Sequence, residues 1–228
     1  FELPTLGRDS RLAGLTQIKA MSSPKIQDLG AGLDFQETWN FQEDLVQRRR
    51  DQTIEDTILL LEHSPVYTIG RTRDKTSLEV HQHLPHPVVE INRGGQGTFH
   101  GPGQLVGYAI LDLAKREKDL HLHLRNLEEA IIIGLGALGV EATRRDGLTG
   151  VWVEDRKIAS LGVGVRSWVT LHGFALNVQK ISLPPFQMIT PCGIDGVSMT
   201  SVESEINRAV SMEEIKHVIT RSLEEIFD

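Results

Sequence analysis

Inside the segment from Asp56 to Glu62, the run Ile58-Leu59-Leu60-Leu61 is apolar without interruption. It is too short for a helix and is stopped by His63-Ser64-Pro65, so it reads as a central strand buried on both faces. Such a strand needs a covering layer on each side, which commits the chain to a sheet packed against helices. The helices are legible. Asp34 with Glu37 caps one that runs to about Arg50; Leu120, Leu124, Leu127, Ile131, Leu135 and Leu138 recur at helical spacing; and Ser211 with Glu214 opens a third, lined by Ile215, Ile219, Leu223 and Ile226. Further strands are expected at Lys25 to Gly30, Val66 to Arg71, Val88 to Asn92 and Leu105 to Leu113. Three successive antiparallel strands are expected at Gly150 to Val153, Lys157 to Val165 and Val169 to Asn177. Thr72 to Pro87, rich in charge, His and Pro, reads as a surface excursion. The pattern is one α+β domain over residues 25–228, with residues 1–24 an N-terminal extension in which Met21 is a candidate start.

Length and charge narrow the function classes. A chain of 228 residues buries a substantial core as one domain. Its formal net charge of −7 gives no general electrostatic grip on nucleic acid. No stretch approaches the ~18 apolar residues of a membrane span. A single cysteine excludes an internal disulfide and an all-thiolate metal site, and the cytosol is the default compartment.

That cysteine, Cys192, sits in Thr190-Pro191-Cys192-Gly193 and is the strongest nucleophile available. A second feature is the segment from Arg93 to Gly103, eleven residues with five glycines, which lies between two expected strands and is followed by Gln104. Glycines at this density let backbone amides approach a ligand, and Arg93, Thr98 and His100 add polar groups beside them. Neither a Walker pattern nor a dinucleotide glycine fingerprint is present, because the following segment is strand-like. Lys157 stands where an apolar strand begins; beside Cys192 its amine would lower the thiol pKa from about 8.5 and shuttle protons. His172-Gly173-Phe174-Ala175-Leu176-Asn177 alternates polar and small residues, which suits the wall of an acyl slot. The histidines at 81, 83, 86, 121 and 123 lack metal-ligand spacing. Arg48-Arg49-Arg50 reads as a solvated helix end, and with Arg71, Arg73, Arg144 and Arg145 it offers local positive charge to acidic partners.

Taken together, Arg93-Gly94-Gly95 through Thr98, His100-Gly101-Pro102-Gly103-Gln104, Thr149-Gly150-Val151-Trp152-Val153, Arg156-Lys157-Ile158-Ala159, His172-Gly173 with Ala175-Leu176-Asn177, and Pro191-Cys192-Gly193 resemble the lipoyl(octanoyl) transferase family. The resemblance covers Ile26 to Phe227; Ala109 departs from it, where the family usually has proline. It implies the biotin/lipoate protein ligase fold, with a mixed, largely antiparallel sheet flanked by helices. It also implies octanoyl transfer from octanoyl-acyl carrier protein to the target lysine of lipoyl domains, those of 2-oxoacid dehydrogenase complexes and of the glycine cleavage H protein. Cys192 would be the acyl-thioester nucleophile and Lys157 the group that tunes it. Arg93, Gly94, Gly95, Gln96, Gly97, Thr98, Phe99, His100, Ser160, Leu161, Gly162, Gly173, Phe174 and Ala175 would contact the acyl substrate. No metal or other cofactor is implied, nor nucleic acid or membrane, and a monomer is expected. Two other readings stay open: an ATP-dependent lipoate or biotin ligase of the same fold, and a non-catalytic carrier-protein-binding module.

Overall fold

A computed structural model of the chain describes residues 23–70, 84–91, 96–190 and 196–228. Strands β1 (Lys25–Asp28), β2 (Thr57–Leu61), β6 (Gln104–Ile110), β7 (Thr143–Arg145), β8 (Leu148–Val153), β9 (Arg156–Arg166) and β10 (Val169–Asn177) form the main sheet, in the order β1-β2-β6-β10-β9-β8-β7. A two-residue strand, β11 (Ser198–Met199), joins β9 in parallel. β1 and β2 are also parallel, whereas β2-β6, β6-β10, β10-β9, β9-β8 and β8-β7 are antiparallel, which makes the sheet mixed and largely antiparallel.

The apolar run behaves as its pattern demands. Every residue of β2 is buried; Ile58 and Leu60 face one cluster, while Leu59 and Leu61 face the other. Helix α1 (Phe35–Arg50) covers the second face through Leu45 and Val46, which meet Val106, Tyr108 and Ile110 of β6. Helices α2 (Leu120–Gly136) and α4 (Met212–Phe227) cover the first through Leu127, Ile131, Leu135, Ile215, Ile219 and Leu223. A short helix, α3 (Val202–Glu205), follows β11. β2 is not central in the order, however. It lies one place from the edge, and it is buried because β1 takes its outer hydrogen-bonding edge while helices cover both faces.

The caps follow the sequence. The Asp34 carboxylate accepts from Glu37 N at 2.9 Å and the Ser211 hydroxyl from Glu214 N at 3.1 Å, each satisfying an orphan donor of the first turn. The glycine-rich segment is not one continuous loop. Thr98–His100 forms β5, wholly buried, which pairs antiparallel with β3 (Val66–Ile69); β4 (Val88–Glu90) pairs parallel on the other edge of β3. These three strands form a second sheet, separate from the main one. It is anchored by Tyr67, Ile69, Phe99, Phe186 and Ile189. Phe186 belongs to the 3-10 turn Pro184–Met188. The candidate surface excursion falls mostly on residues 71–83, outside the described residues.

Candidate active site

Between the two sheets lies a cavity of about 190 Å³. β9 and β10 supply its floor, Ser160-Leu161-Gly162 and Gly173-Phe174-Ala175, where the register pairs Gly173 with Gly162, Phe174 with Leu161 and Ala175 with Ser160. Gly107 makes the room that Phe174 needs. The two are cross-strand partners, and a Cβ on Gly107 would lie 2.1 Å from the Phe174 ring. The second sheet contributes Thr98 and His100, the residues just before β5 contribute Gln96, and α1 contributes Phe35. His172 also lines the cavity, at a φ of 62° that a non-glycine residue rarely adopts; its backbone N–H donates to Gln42 Oε1 at 2.8 Å.

Lys157 forms one end of this space. It is only 2% exposed, and its Nζ donates to the Thr149 carbonyl at 3.0 Å and lies 5.3 Å from the centre of the Trp152 ring. The strand-end position that would ordinarily leave a lysine in water is closed over here by β8. Gly150 is what lets the side chain pass: its φ is +138°, and a Cβ there would lie 2.5 Å from Lys157 Cε. The Gly150 N–H is held by Glu128 Oε1 at 2.9 Å, and Glu128, fully buried on α2, is paired with Arg125 and Arg144. On its other edge, Lys157 pairs with Met199 of β11, and its carbonyl accepts from Thr200 N at 2.9 Å. Met199 stands seven residues beyond Cys192.

The opposite wall is aromatic. Tyr108 lines the cavity, and its hydroxyl lies 2.7 Å from His63 Nε2. The Leu33 carbonyl lies 3.1 Å from His63 Nδ1; a carbonyl only accepts, so Nδ1 carries the proton and Nε2 accepts from the tyrosine. Burial pushes the His63 pKa down to about 4, against the opposing pull of the Leu33 hydrogen bond and the Asp34 charge, which fits that neutral tautomer. Thr98 Oγ1 is buried without a hydrogen-bond partner among the described residues.

A family model described as the lipoyl protein ligase A/B catalytic domain matches residues 34–224, a span that contains every wall of this cavity. The chain belongs to that family. It is 50% identical over 198 residues to an octanoyltransferase of Geobacter sulfurreducens, covering 86% of this chain and 81% of that one. Its fold is that of the bi-partite lipoate protein ligase of Thermoplasma acidophilum, with TM-score 0.65 at 16% identity over 90% of this chain and 83% of that one. The biotin protein ligase of Aquifex aeolicus is also similar, with TM-score 0.52 at 12% identity over 90% and 69% of the two chains.

Within this family fold, the residues expected at the site fall into three groups. Lys157, Gln96, Thr98, His100, Ser160, Leu161, Gly162, Gly173, Phe174 and Ala175 line one cavity, although they come from three strands and a loop. Gly97 and Phe99 are not on its wall. The side chain of Phe99, alternating with Thr98 and His100 along β5, packs into the apolar cluster with Tyr67 and Phe186. Cys192, Arg93, Gly94 and Gly95 lie outside the described residues. Phe35, Ile91, Tyr108, Gly147, Leu148 and Thr149 also line it; of these only Thr149 stood in a motif read from sequence, and none was expected to contact substrate. Phe35 had a signal, since it follows the Asp34 cap and so begins the helix at the mouth of the sheet.

The arginine expectations need correction. Arg49 is not part of a solvated helix end: it is 7% exposed and pairs with Asp56 at 2.7 Å and Asp112 at 3.6 Å. Arg144 is held by Glu128 and Glu129, and Arg145 lies over the Trp152 ring at 4.8 Å. Arg48 keeps the exposure expected of a docking charge, while Arg71 and Arg73 lie outside the described residues.

Proposed function

We propose that this chain is an acyltransferase of protein lipoylation that carries an octanoyl group from octanoyl-acyl carrier protein, through a thioester on Cys192, to the target lysine of lipoyl domains. The 2-oxoacid dehydrogenase complexes and the glycine cleavage H protein supply those domains. The observation that carries the reading is the buried Lys157 amine at one end of an acyl-sized cavity, in a chain half identical to an octanoyltransferase. No helix among the described residues is long and apolar enough to cross a membrane. On this reading the transfer takes place in the cytoplasm and the enzyme works as a monomer.

The chemistry needs little beyond what the cavity supports. The Cys192 thiolate attacks the donor thioester carbonyl; the new C–S bond forms as the carrier's C–S bond breaks, and the carrier thiolate takes up a proton. Thioester exchange is nearly isoenergetic. The lysine amine of the lipoyl domain then attacks the acyl-cysteine, and amide formation runs downhill without a nucleotide. Lys157 lowers the thiol pKa by placing positive charge near the thiolate in a desolvated setting, where charge pairs are worth more than in water. Gly173 and Gly162 keep the floor free of side chains so that the acyl chain can lie against backbone, and Phe174 and Leu161 supply apolar walls.

The test is incubation of the enzyme with octanoyl-acyl carrier protein and an apo lipoyl domain, without ATP, followed by intact mass measurement of the lipoyl domain. Gain of one octanoyl group is the expected result. Modification that requires ATP and free octanoate would replace this reading by a ligase, and no modification under either condition would leave only a carrier-binding module.

A further inference from the structure

A chain of buried amides fixes how one cavity histidine holds its proton. Gln104 Nε2 lies 3.1 Å from the Phe99 carbonyl and 3.0 Å from Asn177 Oδ1; His100 Nδ1 lies 2.8 Å from Gln104 Oε1; and Asn177 Nδ2 lies 3.1 Å from the Thr200 carbonyl. Backbone carbonyls only accept, so two of these contacts settle both amide orientations independently. The Phe99 carbonyl requires the Gln104 NH₂ on its side, which leaves Oε1 facing His100. The Thr200 carbonyl likewise requires the Asn177 NH₂, which leaves Oδ1 for Gln104. His100 Nδ1 must therefore donate, and in the neutral ring Nε2 carries the lone pair. A hydroxyl, Thr68 Oγ1, lies 3.5 Å from Nε2 and can act as a donor to it. His100 is 7% exposed, lies along the cavity wall and is stacked beside the Phe35 ring at 5.9 Å. The far end of the amide chain, Thr200, is bonded through its own N–H to the Lys157 carbonyl, so histidine and lysine are braced by one scaffold.

We propose that His100 is a second proton-handling residue of the transfer, accepting at Nε2 the proton of the attacking lysine amine, and that Gln104 and Asn177 are the positioning residues that hold its tautomer. The inference rests on the acyl-cysteine reading above. In the step it serves, the amine nitrogen forms a bond to the acyl carbon and the C–S bond breaks toward the Cys192 sulfur. The amine proton passes to His100 Nε2, leaving amide, thiolate and imidazolium. The first half-reaction begins from a thiolate already formed and has no such amine proton to remove.

The experiment separates the half-reactions. Acyl-enzyme is formed with octanoyl-acyl carrier protein, isolated, and mixed with apo lipoyl domain in a single turnover. His100→Gln is expected to slow this second step by about 10²-fold or more, the usual worth of a positioned base, and to slow acylation far less. Gln104→Met, which keeps the bulk and removes the acceptor, is expected to slow it about 10-fold or more, since a histidine in the wrong tautomer loses its role. A merely structural glutamine would slow acylation and transfer alike, because the cavity they share would be disturbed for both. Slowing of both half-reactions to the same extent by His100→Gln or by Gln104→Met overturns the proposal. Long-range ¹⁵N–¹H correlation of His100 in the unmodified enzyme reads the tautomer even where a variant does not fold: Nδ1–H is expected, and Nε2–H overturns it. Failure of the wild-type enzyme to form any acyl adduct would instead strike the acyl-cysteine reading, and the tautomer measurement stays distinct from it.

Discussion

Replacing Gly150 by alanine asks two things of the structure at once. The residue sits at φ +138°, where an L side chain is strained, and its new Cβ would lie 2.9 Å from the Ala159 carbonyl oxygen and 2.5 Å from Lys157 Cε. Backbone strain of this kind costs roughly 1–3 kcal/mol, and overpacking against a backbone oxygen that cannot swing aside adds a similar amount. A combined loss of about 2–6 kcal/mol falls mostly inside the roughly 5–15 kcal/mol that domains hold, so the variant should fold. Function should suffer more than stability. Restoring ordinary contact with Cε requires the lysine to retreat by about 0.9 Å from its present place, and an ångström of misplacement at a reacting centre costs on the order of 10²-fold. Urea unfolding and octanoyl transfer to an apo lipoyl domain measure the two effects. Gly139→Ala is the control: its φ of +79° carries backbone strain, but no atom lies within 4 Å of its Cβ, so only stability should fall. Wild-type turnover in Gly150→Ala, or an equal loss of turnover in Gly139→Ala, would refute the placement of Lys157 at the chemistry.

Other expectations follow from named contacts. Gly107→Ala drives a methyl into the Phe174 ring and should cost about 1–3 kcal/mol while weakening transfer; adding Phe174→Leu should return much of the stability, and a strictly additive double mutant in urea unfolding would contradict the clash. Asp56→Asn breaks a buried cluster in which Arg49 and Arg116 each donate at 2.7 Å, with an expected loss of about 3–5 kcal/mol in urea unfolding at pH 7. Burial alone would raise the pKa of Asp56, but hydrogen bonds from Arg49, the Asp112 N–H and Arg116 hold it below the usual carboxylate range. Its contribution is therefore present above the unfolded value near pH 4 and lost as pH falls through the folded one, so the Asn variant should show the shallower acid limb. His123 is buried, and neither ring nitrogen has a hydrogen-bond partner among the described residues. Burial first, and then the Arg116 charge, push its pKa down to about 4, against the pull of Asp56. The unfolded state thus takes up a proton on acidification before the folded state does, and stability should decline between about pH 6.5 and pH 4. His123→Leu should flatten that decline in pH-dependent thermal unfolding; an unchanged slope would contradict it.

The elements built from local signals were legible in the sequence. The Asp34 and Ser211 caps, the leucine and isoleucine stripe of α2, of which Leu138 alone falls past the end of the helix, and the three consecutive strands β8, β9 and β10 each rest on spacing within one segment. What escaped was long-range pairing. Nothing near Thr98 says that it will pair with Thr68, so a strand inside a glycine-rich stretch read as linker, and the second sheet went unseen. The burial of Lys157 was hidden for the same reason: it depends on Trp152 and Gly150 from β8 and on Met199 from β11 closing around a strand end. Arg49 was misread because a basic triplet at a helix end resembles solvated charge until Asp56, just before β2, and Asp112, after β6, are brought beside it. The candidate site was legible as a set of residue types whose mutual distances only the fold supplies. Its aromatic wall of Phe35 and Tyr108 carried little chemical signature in a chain with ordinary core aromatics.

The central claim is that Cys192 carries the acyl group, and it is tested most directly by trapping. The enzyme is mixed with octanoyl-acyl carrier protein in the absence of ATP and of any lipoyl domain, quenched in acid, and digested for peptide mass mapping. The account predicts one octanoyl group on the peptide containing Cys192, removed by hydroxylamine, discharged on addition of apo lipoyl domain, and missing in Cys192→Ser. An octanoyl adduct that persists in Cys192→Ser, or full transfer to the lipoyl domain by that variant, would contradict it.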